Sequence, residues 1–120
     1  MATNDTCCTI LPYFKIVPGK MHDFKALCEQ MMDKVSYEPN CLYYGFSFDG
    51  DEAHCREGYV DAEAMLEHNE NVGELFEQVQ KIAKVTRLEV HGPKAELDKL
   101  RKPFAKLQPQ FFTMKYGFRR

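Results

Sequence analysis

Residues 41–60 read CLYYGFSFDGDEAHCREGYV. Two runs of aromatic and apolar side chains, 41–48 and 53–60, flank Asp49-Gly50-Asp51-Glu52, where Asp-Gly offers the positive-φ residue of a tight hairpin loop. The stretch predicts two antiparallel strands.

Upstream, residues 8–17 are rich in β-branched and aromatic side chains and stop at the turn signal Pro18-Gly19, which predicts a first strand. Pro12 inside that strand predicts an edge position or a bulge, because proline cannot donate to a ladder. Between this strand and the hairpin, Met21, Phe24, Leu27, Cys28, Met31 and Val35 recur at three- and four-residue spacing. That is one stripe of a helix over 20–35, ending before Glu38-Pro39-Asn40.

Downstream, Asp61 can cap a short helix carrying Ala62, Met65 and Leu66, and Asn71 with Glu74 resembles a capping box for a second one. Val72, Leu75, Phe76, Val79 and Ile82 give that second helix an apolar face. Thr86, Leu88 and Val90 then alternate with Arg87, Glu89 and His91 up to Gly92-Pro93, the period of a fourth strand. Leu97, Leu100, Phe104 and Leu107 mark a last helix that Pro93 can begin and Pro103 must distort, with Asp98 and Lys102 as an i,i+4 pair. Alternation over 111–118 predicts a fifth strand.

Strand, helix, strand, strand, helix, strand is the order of an α+β ferredoxin-like antiparallel sheet with its helices on one face, here followed by a C-terminal helix and strand. The expected organisation is a single domain, 1–120, with a core over about 8–91 and a C-terminal appendage over 92–120. Alternation puts Ile10, Phe14, Tyr44, Phe46, Phe48, Leu88 and Val90 toward the helices. Leu11, Tyr13, Tyr43, His54, Arg56, Arg87, Glu89 and His91 fall on the open face. A face mixing aromatic and charged groups suits contact with a second sheet, so a homodimer is expected.

Composition narrows the function. The chain has 120 residues, 44% hydrophobic and 28% charged, with nine Phe and six Tyr, enough bulky material to pack most of its length. Sixteen basic and eighteen acidic side chains are interspersed, leaving no basic patch for nucleic acid. No apolar run approaches a membrane span, and MATNDTCC lacks the pattern of a signal peptide, so a cytoplasmic protein is expected. The five cysteines, Cys7, Cys8, Cys28, Cys41 and Cys55, lack the spacing of a disulfide framework or a zinc site and read as small buried hydrophobes. No glycine-rich phosphate loop is present, and neither a metal nor another cofactor is expected.

Local motifs add a resemblance. Pro18-Gly19-Lys20 closes the first strand, Glu38-Pro39-Asn40-Cys41-Leu42-Tyr43 opens the second, and Glu57-x-Tyr59 is followed nine residues later by His68. With the order of elements over 8–91, these resemble the antibiotic biosynthesis monooxygenase domain of the dimeric α+β barrel superfamily. That family commonly has Trp where this chain has Tyr59, and this chain contains no Trp. The resemblance implies a barrel formed by two copies, and oxidation of a small phenol or quinol by dioxygen without metal or flavin. The alternative is a non-catalytic dimeric domain that binds a small ligand or serves assembly, and the resemblance favours the monooxygenase.

Within that frame His68 is the candidate base, since a neutral imidazole near pH 7 can accept a phenolic proton, although a histidine so placed is more often simply solvated. Tyr59 is the second candidate catalytic residue, with Tyr44, Phe46 and Glu57 as binding residues beside it. If Glu57 and Tyr59 face the helices, the buried carboxylate needs a partner. His54, Arg56 and His91, with Glu89, form a second constellation that could hold an anion or an interfacial salt-bridge network.

Overall fold

The structure, a computed structural model, describes residues 3–120. Strand β1 (Cys8–Ile16) leads through Pro18-Gly19 to helix α1 (Met21–Val35), followed by β2 (Cys41–Asp49) and β3 (Glu52–Tyr59). Helix α2 (Ala62–Ile82), β4 (Ala83–Gly92), the short α3 (Lys94–Leu100), a 3₁₀ turn (Ala105–Leu107) and β5 (Gln110–Thr113) complete the chain. The sheet order is β2-β3-β1-β4-β5, antiparallel except for the parallel pair β4 and β5. The first four strands have the ferredoxin-like order, and β5 extends the sheet beyond β4.

The hairpin forms as its sequence predicts. Asp49 pairs with Glu52, and Gly50 takes φ +60°, a region where a side chain would strain. Pro12, however, is central, because β1 lies between β3 and β4. Its missing donor is accommodated where pairing with β3 lapses between Ile10 and Tyr13, and a bulge against β4 follows at Tyr13 and Phe14.

The two helices expected between Asp61 and Ile82 are one. Asp61 caps it, its carboxylate accepting from the Ala64 N–H at 2.9 Å. Glu96 of α3, itself buried, accepts from the Ala62 N–H at 3.0 Å, so two carboxylates meet the positive end of the helix dipole. Nothing interrupts the helix afterwards, since Asn71 turns its amide to the end of α1 and the loop beyond it, where it donates to the Lys34 carbonyl and to Glu38.

The last segment also differs from expectation. Asp98 pairs with Lys94 and Arg101 instead of Lys102, because α3 stops at Leu100 and Lys102 lies beyond its helical spacing. The fifth strand ends at Thr113, whose partner Gly92 is the last residue of β4, and Pro93 has no N–H with which to continue the ladder. Tyr116 and Phe118 are exposed.

Two apolar clusters cover the helix side of the sheet. One gathers Cys8, Ile10, Tyr59, Met65, Leu88 and Val90 with Leu97, Leu100 and Phe104 from the C-terminal segment. The other gathers Phe14, Ile16, Phe24, Met31, Cys55, Leu75 and Val79. Leu97 is fully buried, so Leu97→Ala should cost about 2–5 kcal/mol in urea unfolding. A loss well below 1 kcal/mol would show that α3 does not belong to the cooperative core.

Candidate functional site

Strand β3 alternates Cys55, Glu57 and Tyr59 toward the helices with His54, Arg56 and Gly58 toward the open face. Helix α2 crosses above, and its inward stripe of Met65, His68, Val72, Leu75 and Val79 is buried. His68 therefore comes down on Glu57. It is not solvated: 4% of its surface is exposed, because the stripe that buries Met65 and Val72 includes position 68.

The imidazole stands between two carboxylates. Its Nε2 lies 3.2 Å from Glu57 Oε1, and its Nδ1 lies 3.0 and 3.1 Å from the two oxygens of Glu38, at the turn after α1. The Asn71 amide donates to Glu38 Oε2 at 2.8 Å, and the Tyr59 hydroxyl donates to Glu57 Oε1 at 2.7 Å. The Glu57 and Glu38 side chains are 6% and 13% exposed. Burial alone would lower the His68 pKa, but the hydrogen bonds and negative charges of Glu57 and Glu38 outweigh it and hold the ring above its ordinary value. Burial, reinforced by Glu57, pushes the Tyr59 phenol far above its ordinary range, so it stays protonated and donates to the carboxylate.

Beside this line lies a cavity of about 200 Å³ under α2. Glu57, His68, Tyr44, Phe46 and Cys55 belong to its wall, with Phe104 and Leu107 from the C-terminal segment on another side. Cys55 is 1% and Leu107 41% exposed, so the cavity runs from the buried pair to an opening between α2 and the 3₁₀ turn. Tyr59 stands behind Glu57, outside the wall. Its influence on a bound molecule passes through the carboxylate.

His54, Arg56 and His91 are on the other side of the sheet. His54 stacks on Tyr13 with ring centroids 4.2 Å apart, and Arg56 lies over the Tyr43 ring. Glu89 binds Arg87 and His91, and His91 stacks on Phe112. These groups pair off along the open face and are separated from the cavity by the thickness of the sheet. Sequence reasoning missed Glu38, Asn69 and Asn71. Glu38 sits in a turn thirty residues from His68, and no local pattern links them. All five cysteines are unpaired thiols; burial raises Cys28 to about 12 and Cys41 to about 11. Among the described residues no group of His, Cys, Asp and Glu has the arrangement of a metal site, and no helix is long and apolar enough to cross a membrane.

Neither a family model nor a curated sequence matches the chain, and the relationships come from solved structures. MupZ from Pseudomonas fluorescens is 46% identical over 100% of this chain and 94% of its own, with a TM-score of 0.94. Rv0793 from Mycobacterium tuberculosis is 24% identical over 72% of this chain and 94% of its own, with a TM-score of 0.63. A Caulobacter crescentus protein provisionally named an antibiotic biosynthesis monooxygenase is 17% identical over 72% and 88%, with a TM-score of 0.65. The distant pair share the fold, whereas the resemblance to MupZ extends through sequence and full length. The chain belongs to the family of MupZ, and its fold is that of the antibiotic biosynthesis monooxygenases.

Proposed function

We propose that the cavity is an active site in which Glu57 and His68 move a proton to or from a small, largely apolar molecule. The observation that supports this most directly is the burial of His68 between Glu38 and Glu57 at the closed end of an apolar cavity. The Tyr59 and His68 contacts of Glu57 both fall on Oε1, and the Cys55 thiol also borders the carboxylate, so Oε2 is assigned as the acceptor for a substrate proton. His68 holds the carboxylate's charge in place and can exchange its Nε2 proton with it.

With a phenol or quinol in the cavity, Glu57 takes the hydroxyl proton, and the resulting electron-rich anion is what dioxygen oxidises. Tyr44 and Phe46 are the walls for such a ring. The protein is then a monooxygenase that needs no metal or flavin, as the fold family suggests. A second reading keeps the same residues and no oxidation. An imidazolium held above its ordinary pKa beside a carboxylate offers an acid and a base at one point, the requirement for redox-neutral proton transfer such as an addition, elimination or ring opening. The open face supports a homodimer, with Tyr13, His54, Tyr43 and Glu89 half-covered and awaiting a second sheet.

Turnover of a panel of phenols, quinols and oxygenated aliphatic compounds, with dioxygen present and then excluded, tests the site and separates the two chemistries. Glu57→Gln and His68→Gln should each lower the rate ~10²-fold or more. A loss of about twofold in both leaves a small-ligand-binding or assembly domain as the better account.

The protonated state has its own signature in stability. A folded pKa raised above the unfolded value of about 6.5 stabilises the protein fully below that pH, and the contribution disappears as pH rises through the folded value. The stability difference between wild type and His68→Gln should therefore be largest near pH 5.5 and shrink toward pH 9 in urea titrations. A difference that grows with pH would mean that the ring is buried neutral. For the dimer, light scattering at micromolar concentration should give twice the chain mass, and a monomer would refute it.

A further inference from the structure

Gly73 occupies the middle of a 21-residue helix, where glycine is destabilising relative to alanine. Packing does not demand it. A Cβ built at this position meets nothing within 4 Å, and the empty space in front of it is the cavity. One turn earlier on the same face, Asn69 also reaches the cavity wall, half-buried. The hydrogen bonds that organise Glu38, His68, Asn71 and Tyr59 make no use of its carboxamide. The cavity thus has a charged closed end, a polar amide part-way along and a stretch of helix stripped of its side chain near the opening.

The charge at the closed end selects further. Two carboxylates face one imidazole, and neither Lys nor Arg lines the cavity. A ligand carboxylate or phosphate buried there would lose its water against surplus negative charge, whereas a hydroxyl would find an acceptor in Glu57 Oε2.

We infer that the cavity takes a neutral, elongated molecule with a hydroxyl at Glu57, a hydrogen-bonding oxygen at Asn69 and a remainder that leaves over Gly73 beside Leu107. This rests on the active-site reading above and names the class of its substrate. Gly73 is a specificity-determining residue, retained at a cost to the helix because a side chain there would close the passage.

The test is binding, measured without turnover on the full chain by NMR titration at pH 7.5 with 4-butylphenol, 4-butylbenzoate and 4-(3-oxobutyl)phenol. The neutral 4-butylphenol should bind at least tenfold more tightly than the benzoate. The ketone should add affinity that Asn69→Leu abolishes. Gly73→Ala should melt about 2–5 °C higher and bind 4-butylphenol more weakly, and Gly73→Leu should lose tenfold or more while still melting cooperatively. Equal or tighter binding of the benzoate, undiminished binding by Gly73→Leu, a ketone advantage that survives Asn69→Leu, or failure of all three probes to bind would overturn the inference. Because these are affinities, they separate from the rates of Glu57→Gln and His68→Gln. Binding as described with no turnover removes the active-site reading alone, and turnover with no preference for neutral ligands removes this one alone.

Discussion

Burial of His68 between two carboxylates is the constraint around which the helix side of this protein is arranged. Each of the three groups loses hydration, a cost of several kcal/mol per ion that mutual attraction repays only when the geometry is good. Here the line is extended at both ends: Asn71 holds Glu38 and Tyr59 holds Glu57, so the carboxylates are fixed before they meet the ring. The line also ties the turn after α1 to strand β3 and to helix α2, the Glu38 contact spanning thirty residues of sequence. Apolar side chains of the same volume would join these elements at least as stably. A buried Glu-His-Glu line is therefore better understood through its chemistry than through stability.

The cavity has a structural origin in how the core divides. Ile10, Leu88 and Phe104 on its wall belong to one apolar cluster, while Phe14, Met31 and Val79 belong to the other. The cavity is the seam between them, roofed by α2. A seam of this kind closes if large side chains fill it from the roof; α2 lines it with His68, Asn69, Val72, Phe76 and Val79, and Gly73 leaves a gap among them. The two clusters can each be well packed while the space between them stays available to a ligand.

Much of the fold was legible because hydrophobic period and turn chemistry agree locally. Asp49-Gly50 gave the hairpin, Pro18-Gly19 the end of β1, and the alternation through Leu88 and Val90 the face of β4. The misreadings arose where a residue with a strong local preference was engaged by something distant. Asn71 looked like a cap, but its amide is taken by Glu38 and the Lys34 carbonyl. Pro12 signalled an edge or a bulge; the edge half of that reading fails, and a bulge with a lapse in the ladder lets it sit at the centre. The placement of His68 followed a similar course. Local statistics favour solvent for a histidine in a helix rich in glutamate, whereas position 68 falls on the stripe of Met65 and Val72, and only tertiary contact reveals its two partners. Glu38 was visible only as part of the turn that opens β2, and nothing in that local motif pairs it with His68.

Strand β3 carries the remaining argument, since its alternation serves both faces of the sheet. Cys55, Glu57 and Tyr59 look into the helix side, while His54, Arg56 and Gly58 look out. The Tyr43 ring lies so close over Gly58 that a Cβ there would stand 2.4 Å from it. The aromatic and charged groups of the open face are thus packed down against the same strand that supports Glu57. A second copy placed on that face, as proposed, leaves the cavity accessible, because the opening lies on the far side between α2 and Leu107. It would also restrain the strand that bears the carboxylate, which makes pairing of two chains a means of fixing the geometry of each site without adding a residue to it.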